Sequence, residues 1–146
     1  MPEKETLEQA RKDKREGKAP STQAGEFVRE EMEHIREGKH GARSTKQAIA
    51  IGLSKARRAG VELPPSKTAS KETKEQAKRD LRKAKSGPKG AKSTKRSRAT
   101  LKALKREGRS AASKKALSRQ ARSAAKKRSA ASRSRSAKKA AATRKK

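Results

Sequence analysis

The sequence predicts an all-α and largely disordered protein, in which a small αα-hairpin is accompanied by solvated helices and followed by a long basic tail. Three observations predict it. Only 28% of the 146 residues are hydrophobic and 41% are charged, with a mean hydropathy of −1.31, so the chain has little apolar surface to bury. Most of the large apolar side chains fall within residues 1–80 and recur there at helical spacing. Residues 81–146 carry 26 Lys and Arg against one acid, Glu107, which is +25 of the formal +30. Like charges at that density repel one another in a compact globule, so this half calls for counterions or a polyanion.

Pro2 to Gly17 mixes Glu, Lys, Arg and Gln around a lone Leu7. Helix propensity is high there but no apolar stripe exists, which predicts a solvated, fraying helix. Pro20 breaks it, and Ser21 and Thr22 are candidate N-caps for the next. From Gln23 to Glu37, Ala24, Val28, Met32 and Ile35 line one helical face while Glu30, Glu33 and Glu37 occupy the other. Gly38 or Gly41 supplies the stop. Ser44 stands three before Gln47, a capping-box spacing that opens a second helix through Ala59. On a helical wheel Ala48, Ile49, Gly52, Leu53, Ala56 and Ala59 share an arc of roughly 140°. Gly60 ends that helix, and Val61, Leu63, Pro64 and Pro65 form an extended strap over the hairpin's open end. The hairpin thus has one acidic and one basic outer face. Its core is small enough to predict marginal stability unless a dimer partner or DNA adds to the burial.

Beyond Ser66, Lys71 to Lys85 reads as a solvated helix, with Glu72, Glu75 and Asp80 as partners for Lys74, Lys78 and Arg79. Gly41-Ala42-Arg43-Ser44-Thr45-Lys46 reappears as Gly90-Ala91-Lys92-Ser93-Thr94-Lys95, a degenerate copy of the capped helix that has lost most of its apolar face. Four segments follow: a solvated helical segment 1–20, a helical hairpin 21–65, a charged linker with a possible helix 66–92, and a basic low-complexity tail 93–146.

The basic segment points to nucleic acid. As a helix rising about 1.5 Å per residue it would present a net charge roughly every 4 Å, near the phosphate spacing of about 3.4 Å along one DNA strand. Single-strand and RNA modules stack bases on aromatic rings, yet Phe27 is the one aromatic residue and it sits in the hairpin. Asn, a bidentate reader of adenine, is absent, and Gln23 and Gln47 belong to the hairpin. Duplex DNA bound without sequence preference is therefore the favoured partner, although Ser132-Arg133-Ser134-Arg135-Ser136 is similar to an RS segment of RNA-binding chains. The candidate contacts are Arg43, Lys46, Lys55, Arg57 and Arg58 on the hairpin. Beyond it they are Lys92, Lys95, Arg96, Arg98, Lys102, Lys105, Arg106, Arg109, Lys114, Lys115, Arg119, Arg122, Lys126, Lys127, Arg128, Arg133, Arg135, Lys138 and Lys139. The reading is a nucleoid-associated, histone-like protein that bridges or compacts DNA. The alternatives are RNA binding, or a regulatory or stress-related module whose hairpin takes a protein partner or a second copy while the tail localises it.

Other chemistries find no seat. Cysteine is absent, which excludes disulfides and thiolate metal sites. Glu31 and His34 have the Glu-x-x-His spacing of carboxylate-bridged metal bundles, but the second hairpin helix offers no acid, so His34 reads as a solvated histidine and His40 as a turn residue or phosphate contact. Gly87 to Thr94 lacks the glycine before lysine and the preceding strand of a phosphate-binding loop. No Ser/His/Asp set is credible, since Asp13 and Asp80 fall in charge-rich helices. The sequence thus predicts no enzyme, no metal, no cofactor and no small-molecule substrate. The longest apolar run, Ala48 to Leu53, is too short for a membrane span, and Leu101, Leu104 and Leu117 are too few for a membrane-surface face. The expected location is the cytoplasm, at the nucleoid.

Two stretches carry a resemblance. Ser21 to Glu31 (STQAGEFVREE) and Gly38 to Arg57 (GKHGARSTKQAIAIGLSKAR) resemble a family of small basic bacterial proteins of unknown function, some of which are labelled DNA-binding or plasmid-stabilisation proteins. Residues 124–146 are similar in composition to bacterial histone-like proteins of the linker-histone type, although the Ser-Pro-Lys-Lys repeats of some such tails are absent. The resemblance implies a bacterial nucleoid setting and DNA compaction; it implies no catalytic residue.

Overall fold

A computed structural model describes residues 2–87 and 93–144, and among these the chain is all-helical. The helices are α1 (Lys4–Arg15), α2 (Pro20–Arg36), α3 (Thr45–Arg58), α4 (Lys71–Ser86), α5 (Thr94–Lys105), α6 (Lys114–Lys126) and α7 (Ala130–Arg144), with a 3-10 turn at Ser110–Ala112.

The expected hairpin is present. Pro20 takes the first turn of α2, where its fixed φ and missing N–H cost nothing, so α2 begins at the proline rather than after it. Gly38, at φ +78°, closes the helix in a conformation that favours glycine. Ser44 Oγ accepts the Gln47 N–H at 3.2 Å, and Gln47 Oε1 reaches back to the Arg43 N–H at 2.8 Å. The two helices meet at Gly52, where a Cβ would lie 2.8 Å from Val28 Cα.

Burial corrects the expected faces. Ala24, Phe27, Ala56 and Val61 form one cluster with Ala10 of α1, and Leu7, Leu53 and Leu63 pack against it. The strap therefore does cover the hairpin. The solvated N-terminal helix expected from a lone leucine is instead docked, with Ala10 buried and Leu7 packed against the hairpin. Asp13, also buried, accepts Lys18 Nζ at 2.8 Å and Gln9 Nε2 at 3.2 Å, while Gln23 Nε2 donates to the Lys18 carbonyl at 2.8 Å. Hydrogen bonds to Asp13 and Glu16 hold the Lys18 amine well above the usual lysine range. Glu33 and Glu37 are exposed as expected, but Glu30 and Glu31 are 3% and 0% exposed, so the acidic outer face is only partly outside.

α4 is also docked rather than solvated. Asp80, fully buried, accepts Ser54 Oγ at 2.6 Å, Arg58 Nε at 2.8 Å and Gln76 Nε2 at 3.2 Å. It is thus joined to α3 and not to Arg79, the partner expected within its own helix.

The basic half is not the disordered tail that its composition predicts. Alanine, lysine and arginine have high helix propensity, and Ser93 and Ser113 cap α5 and α6 through the Arg96 and Ala116 N–H groups at 3.4 and 3.2 Å. Residues 104–117 pack back onto the hairpin. The Gly41 and Ala42 N–H groups donate to the Leu104 and Gly108 carbonyls at 2.9 and 3.1 Å. Arg36 Nε donates to the Ala112 carbonyl at 2.9 Å, and Thr45 Oγ1 to that of Ala111 at 2.7 Å. Ala111 and Ala112 are buried with Met32, Ile35, Ala42 and Ala48, and Leu117, Ile49 and Val28 complete this second cluster. The core is therefore larger than the hairpin alone provides. The first half of the sequence copy, Gly90-Ala91-Lys92, lies outside the described residues; its helix, α5, buries none of its side chains.

No described helix is long and apolar enough to cross a membrane.

Candidate nucleic-acid interface

The expected basic contacts separate into two groups. Lys55, Arg57 and Arg58 are engaged by partners within the chain: Lys55 Nζ lies 2.6 Å from Glu31 Oε2, Arg57 Nε donates to the Leu63 carbonyl at 2.9 Å, and the half-exposed Arg58 binds Asp80 through Nε. Arg57 is buried, and desolvation pushes its guanidinium below the usual arginine value. This corrects the picture of one basic outer face on α3. Arg43 and Lys46 remain exposed at its N-terminus.

The remaining cations lie on exposed surface. Lys95, Arg96, Arg98, Lys102 and Lys105 of α5, with Arg106 and Arg109 after it, are all exposed. So are Lys114, Lys115, Arg119, Arg122 and Lys126 of α6, Lys127 and Arg128 of the following turn, and Arg133, Arg135, Lys138 and Lys139 of α7. Lys92 lies outside the described residues. Among the described residues, no cation after position 80 makes a salt bridge; the ion pairs belong to residues 3–80. Nor is any residue of α5, α6 or α7 buried.

Docking of Ala111 and Ala112 brings two sequence-distant parts of this surface together. A groove of about 580 Å³ between the N-termini of α3 and α6 is lined by Arg43, Ser44, Thr45 and Lys46 from one side. From the other it is lined by Ser110, Ala111, Ser113, Lys115, Ala116, Arg119, Gln120 and Ser123. It continues along α6 into a shallow concavity of about 640 Å³, where Lys115, Arg119 and Ser123 are joined by Ser118, Arg122, Lys126 and Lys127. Both helices point their positive dipole ends at the groove, and neither first turn holds an acid. Lys46, Lys114 and Lys115 add positive charge where an isolated helix would favour negative. Such an arrangement disfavours the free protein slightly and favours a bound anion. Gln120 was not singled out from the sequence; its neighbours gave no sign that α6 folds back beside Lys46.

A second cluster gathers around the buried carboxylates of α2. Glu31 and Glu30 are buried on α2, with Lys55 of α3 2.6 Å from Glu31 Oε2 and 3.5 Å from Glu30 Oε1. His34 Nε2 lies 2.8 Å from Glu3 Oε1, and its Nδ1 faces Glu30 Oε1 at 4.0 Å. His40 Nδ1 lies 3.1 Å from the Gly41 carbonyl, and its Nε2 is 3.2 Å from Glu31 Oε1. The Glu3 N–H donates to Glu30 Oε2 at 3.1 Å, and Lys39 Nζ bridges Glu3 and Glu37 at 3.2 and 3.0 Å. Hydrogen bonds from His34 and Lys39 hold the Glu3 carboxyl below the usual glutamate range. His34, with 13% of its side chain exposed, is thus no solvated histidine.

Residues 20–68 match the model of a family of unknown function (DUF6496). The match runs from the start of α2 through α3 and the strap, so it takes in Arg43, Lys46 and the buried carboxylates. It fits the resemblance to a family of unknown function over that stretch; α5, α6 and α7 lie beyond it. Neither the curated proteins nor the solved structures contain a match.

Proposed function

We propose that the protein binds duplex DNA without sequence preference, as a nucleoid-associated, histone-like protein that neutralises phosphate charge and bridges or compacts the duplex. The observation that carries this reading is the array of exposed cations on residues 93–144, none of which has an acidic partner among the described residues. Releasing condensed counterions from DNA supplies binding energy to such a surface, and it does so in proportion to the phosphates neutralised. The groove between α3 and α6 is the best-defined part, since Arg43, Lys46, Lys115 and Arg119 converge there with two helix N-termini. With no base-stacking aromatic and no Asn, phosphate contacts dominate and sequence is read weakly. Helices α5 and α7 add further exposed cations, which suits one chain to touching two duplex segments.

Titration of a labelled duplex at increasing salt tests the proposal. With 6–10 phosphate contacts, affinity falls about 10³–10⁵-fold between roughly 50 and 200 mM salt. A salt-independent affinity, or preference for structured RNA in competition, overturns it.

A further inference from the structure

We propose that Glu31, His34 and His40 form a binding site for a divalent transition-metal ion of the zinc class, an assignment independent of the nucleic-acid reading. One donor atom from each of these side chains lies within 4.8 Å of the others. Donors on a tetrahedral ion bound at about 2.1 Å lie roughly 3.4 Å apart. His40 Nε2 and Glu31 Oε1, 3.2 Å apart, already stand near that spacing; a tilt of the His34 ring would close the remainder.

Three observations separate this cluster from an ordinary acidic patch. The first is the state of Glu31. It is 0% exposed, and although Lys55 Nζ and His40 Nε2 approach its oxygens, neither approach has hydrogen-bond geometry; Oε1 and Oε2 accept no hydrogen bond, nor does Glu30 Oε1. Lys55 Nζ, 2.6 Å away, supplies the charge for Oε2; Oε1 has only the His40 ring beside it, and a buried carboxylate oxygen so placed is costly unless a cation satisfies it.

The second is the orientation of the imidazoles. His40 Nδ1 is fixed against the Gly41 carbonyl, an acceptor, so Nδ1 carries the proton and Nε2 of the neutral ring presents a lone pair. That lone pair faces Glu31 Oε1 at 3.2 Å, an opposition of two electron-rich atoms that an intervening cation resolves. His34 repeats the pattern with Nε2 against Glu3 Oε1 and Nδ1 turned to the buried Glu30 carboxylate at 4.0 Å. An outer oxygen fixing one ring nitrogen while the other faces the ion is the usual support of a metal-bound histidine.

The third is charge. With neutral imidazoles, Glu3, Glu30 and Glu31 face Lys39 and Lys55, and Lys39 is shared with Glu37. The cluster has an excess of negative charge. Lys55 would then hold Oε2 of Glu31 while Oε1 binds the ion. Two imidazoles and one carboxylate suit zinc, cobalt, nickel or iron in the divalent state, and leave a position for water. The sequence pattern pointed to no metal because the Glu-x-x-His pair needed further ligands from the facing helix; the third ligand comes instead from the loop.

The test uses the full chain without an affinity tag, stripped of metal and titrated with Zn²⁺ against a chromophoric chelator, with Co²⁺ as a spectroscopic probe. The expected result is one ion per chain and tetrahedral cobalt absorption. His40→Ala and Glu31→Gln should each weaken binding at least tenfold. Glu3→Gln, which alters the support of His34 and no ligand, should weaken it about 10–100-fold. Because Glu31→Gln can unfold the hairpin, circular dichroism of each variant accompanies the titration, and the loop variant His40→Ala carries the conclusion if Glu31→Gln loses helix. Absence of stoichiometric uptake, as expected if His40 is simply an imidazolium paired with Glu31, overturns the proposal. So does uptake that a folded His40→Ala leaves unchanged.

Discussion

Gly41 lies against the backbone of Glu107 so closely that a side chain on it would overlap the Glu107 carbonyl group and approach the Gly108 carbonyl oxygen to 2.7 Å. Its N–H donates to the Leu104 carbonyl. Gly41→Ala should therefore push residues 104–112 off the hairpin loop at a cost of about 1–3 kcal/mol. Urea unfolding gives the magnitude, and faster tryptic cleavage after Lys105 or Arg106 shows where the chain has opened.

Gly52 makes the equivalent close approach within the hairpin, 2.8 Å from Val28 Cα for an added Cβ. Although alanine is the better helix former by about 1 kcal/mol, Gly52→Ala should destabilise, because the helices must separate along the whole of their shared face. An unchanged or raised melting temperature would contradict the crossing geometry.

Asp80 binds three side chains with no solvent access of its own. Asp80→Ala should release α4 and leave Ser54 without its acceptor. Because Arg58 is half exposed and can rehydrate, the loss should be about 1–3 kcal/mol, below that of a wholly buried pair. Hydrogen exchange localised to α4 distinguishes detachment from global loosening.

In the groove, Lys115→Ala with Arg119→Ala should lower the slope of log affinity against log salt by about 1 for every phosphate that is no longer neutralised. The same change at Lys14, exposed on α1 away from the groove, should have a smaller effect. Equal slopes for the two variants would remove the groove from the interface.

The Lys18 interaction gives a pH signature. Its hydrogen bond holds the Glu16 carboxyl below the ordinary value of 4.5. A carboxyl depressed on folding stabilises the protein above its unfolded pKa and loses that contribution as pH falls through the folded value. The stability difference between the wild type and Lys18→Met should therefore be steady near neutrality and shrink below about pH 4.5. Thermal melts across that range check it.

Periodicity and punctuation made α2, α3 and α4 legible to within a few residues, and Ser44, Gly38 and Gly60 end or begin helices as their chemistry requires. What escaped was tertiary. A helical wheel puts Glu30 outside because it carries no information about Lys55, which lies on another helix and meets Glu30 and Glu31 only after folding. The docked faces are built largely of alanine, Ala10 beside Leu7 on α1 and Ala111 and Ala112 beside Leu117 in the basic half. Alanines give almost no hydrophobic signal in a chain so rich in them. Composition correctly marked the basic half as rich in unpaired charge, but read repulsion as disorder; each like-charged pair at helical spacing costs only about 0.2–0.5 kcal/mol, which helix propensity and serine caps offset.

The packing of Ala111 and Ala112 beneath Met32 and Ile35 has a consequence for how the chain can change over time. The polycation is not an appendage that a recombination event or a protease can clip away cleanly. Removing it whole uncovers the hairpin's apolar floor and strips Arg36 and Thr45 of their acceptors, so cutting it back past Leu117 and keeping the head intact requires new residues to seal that floor.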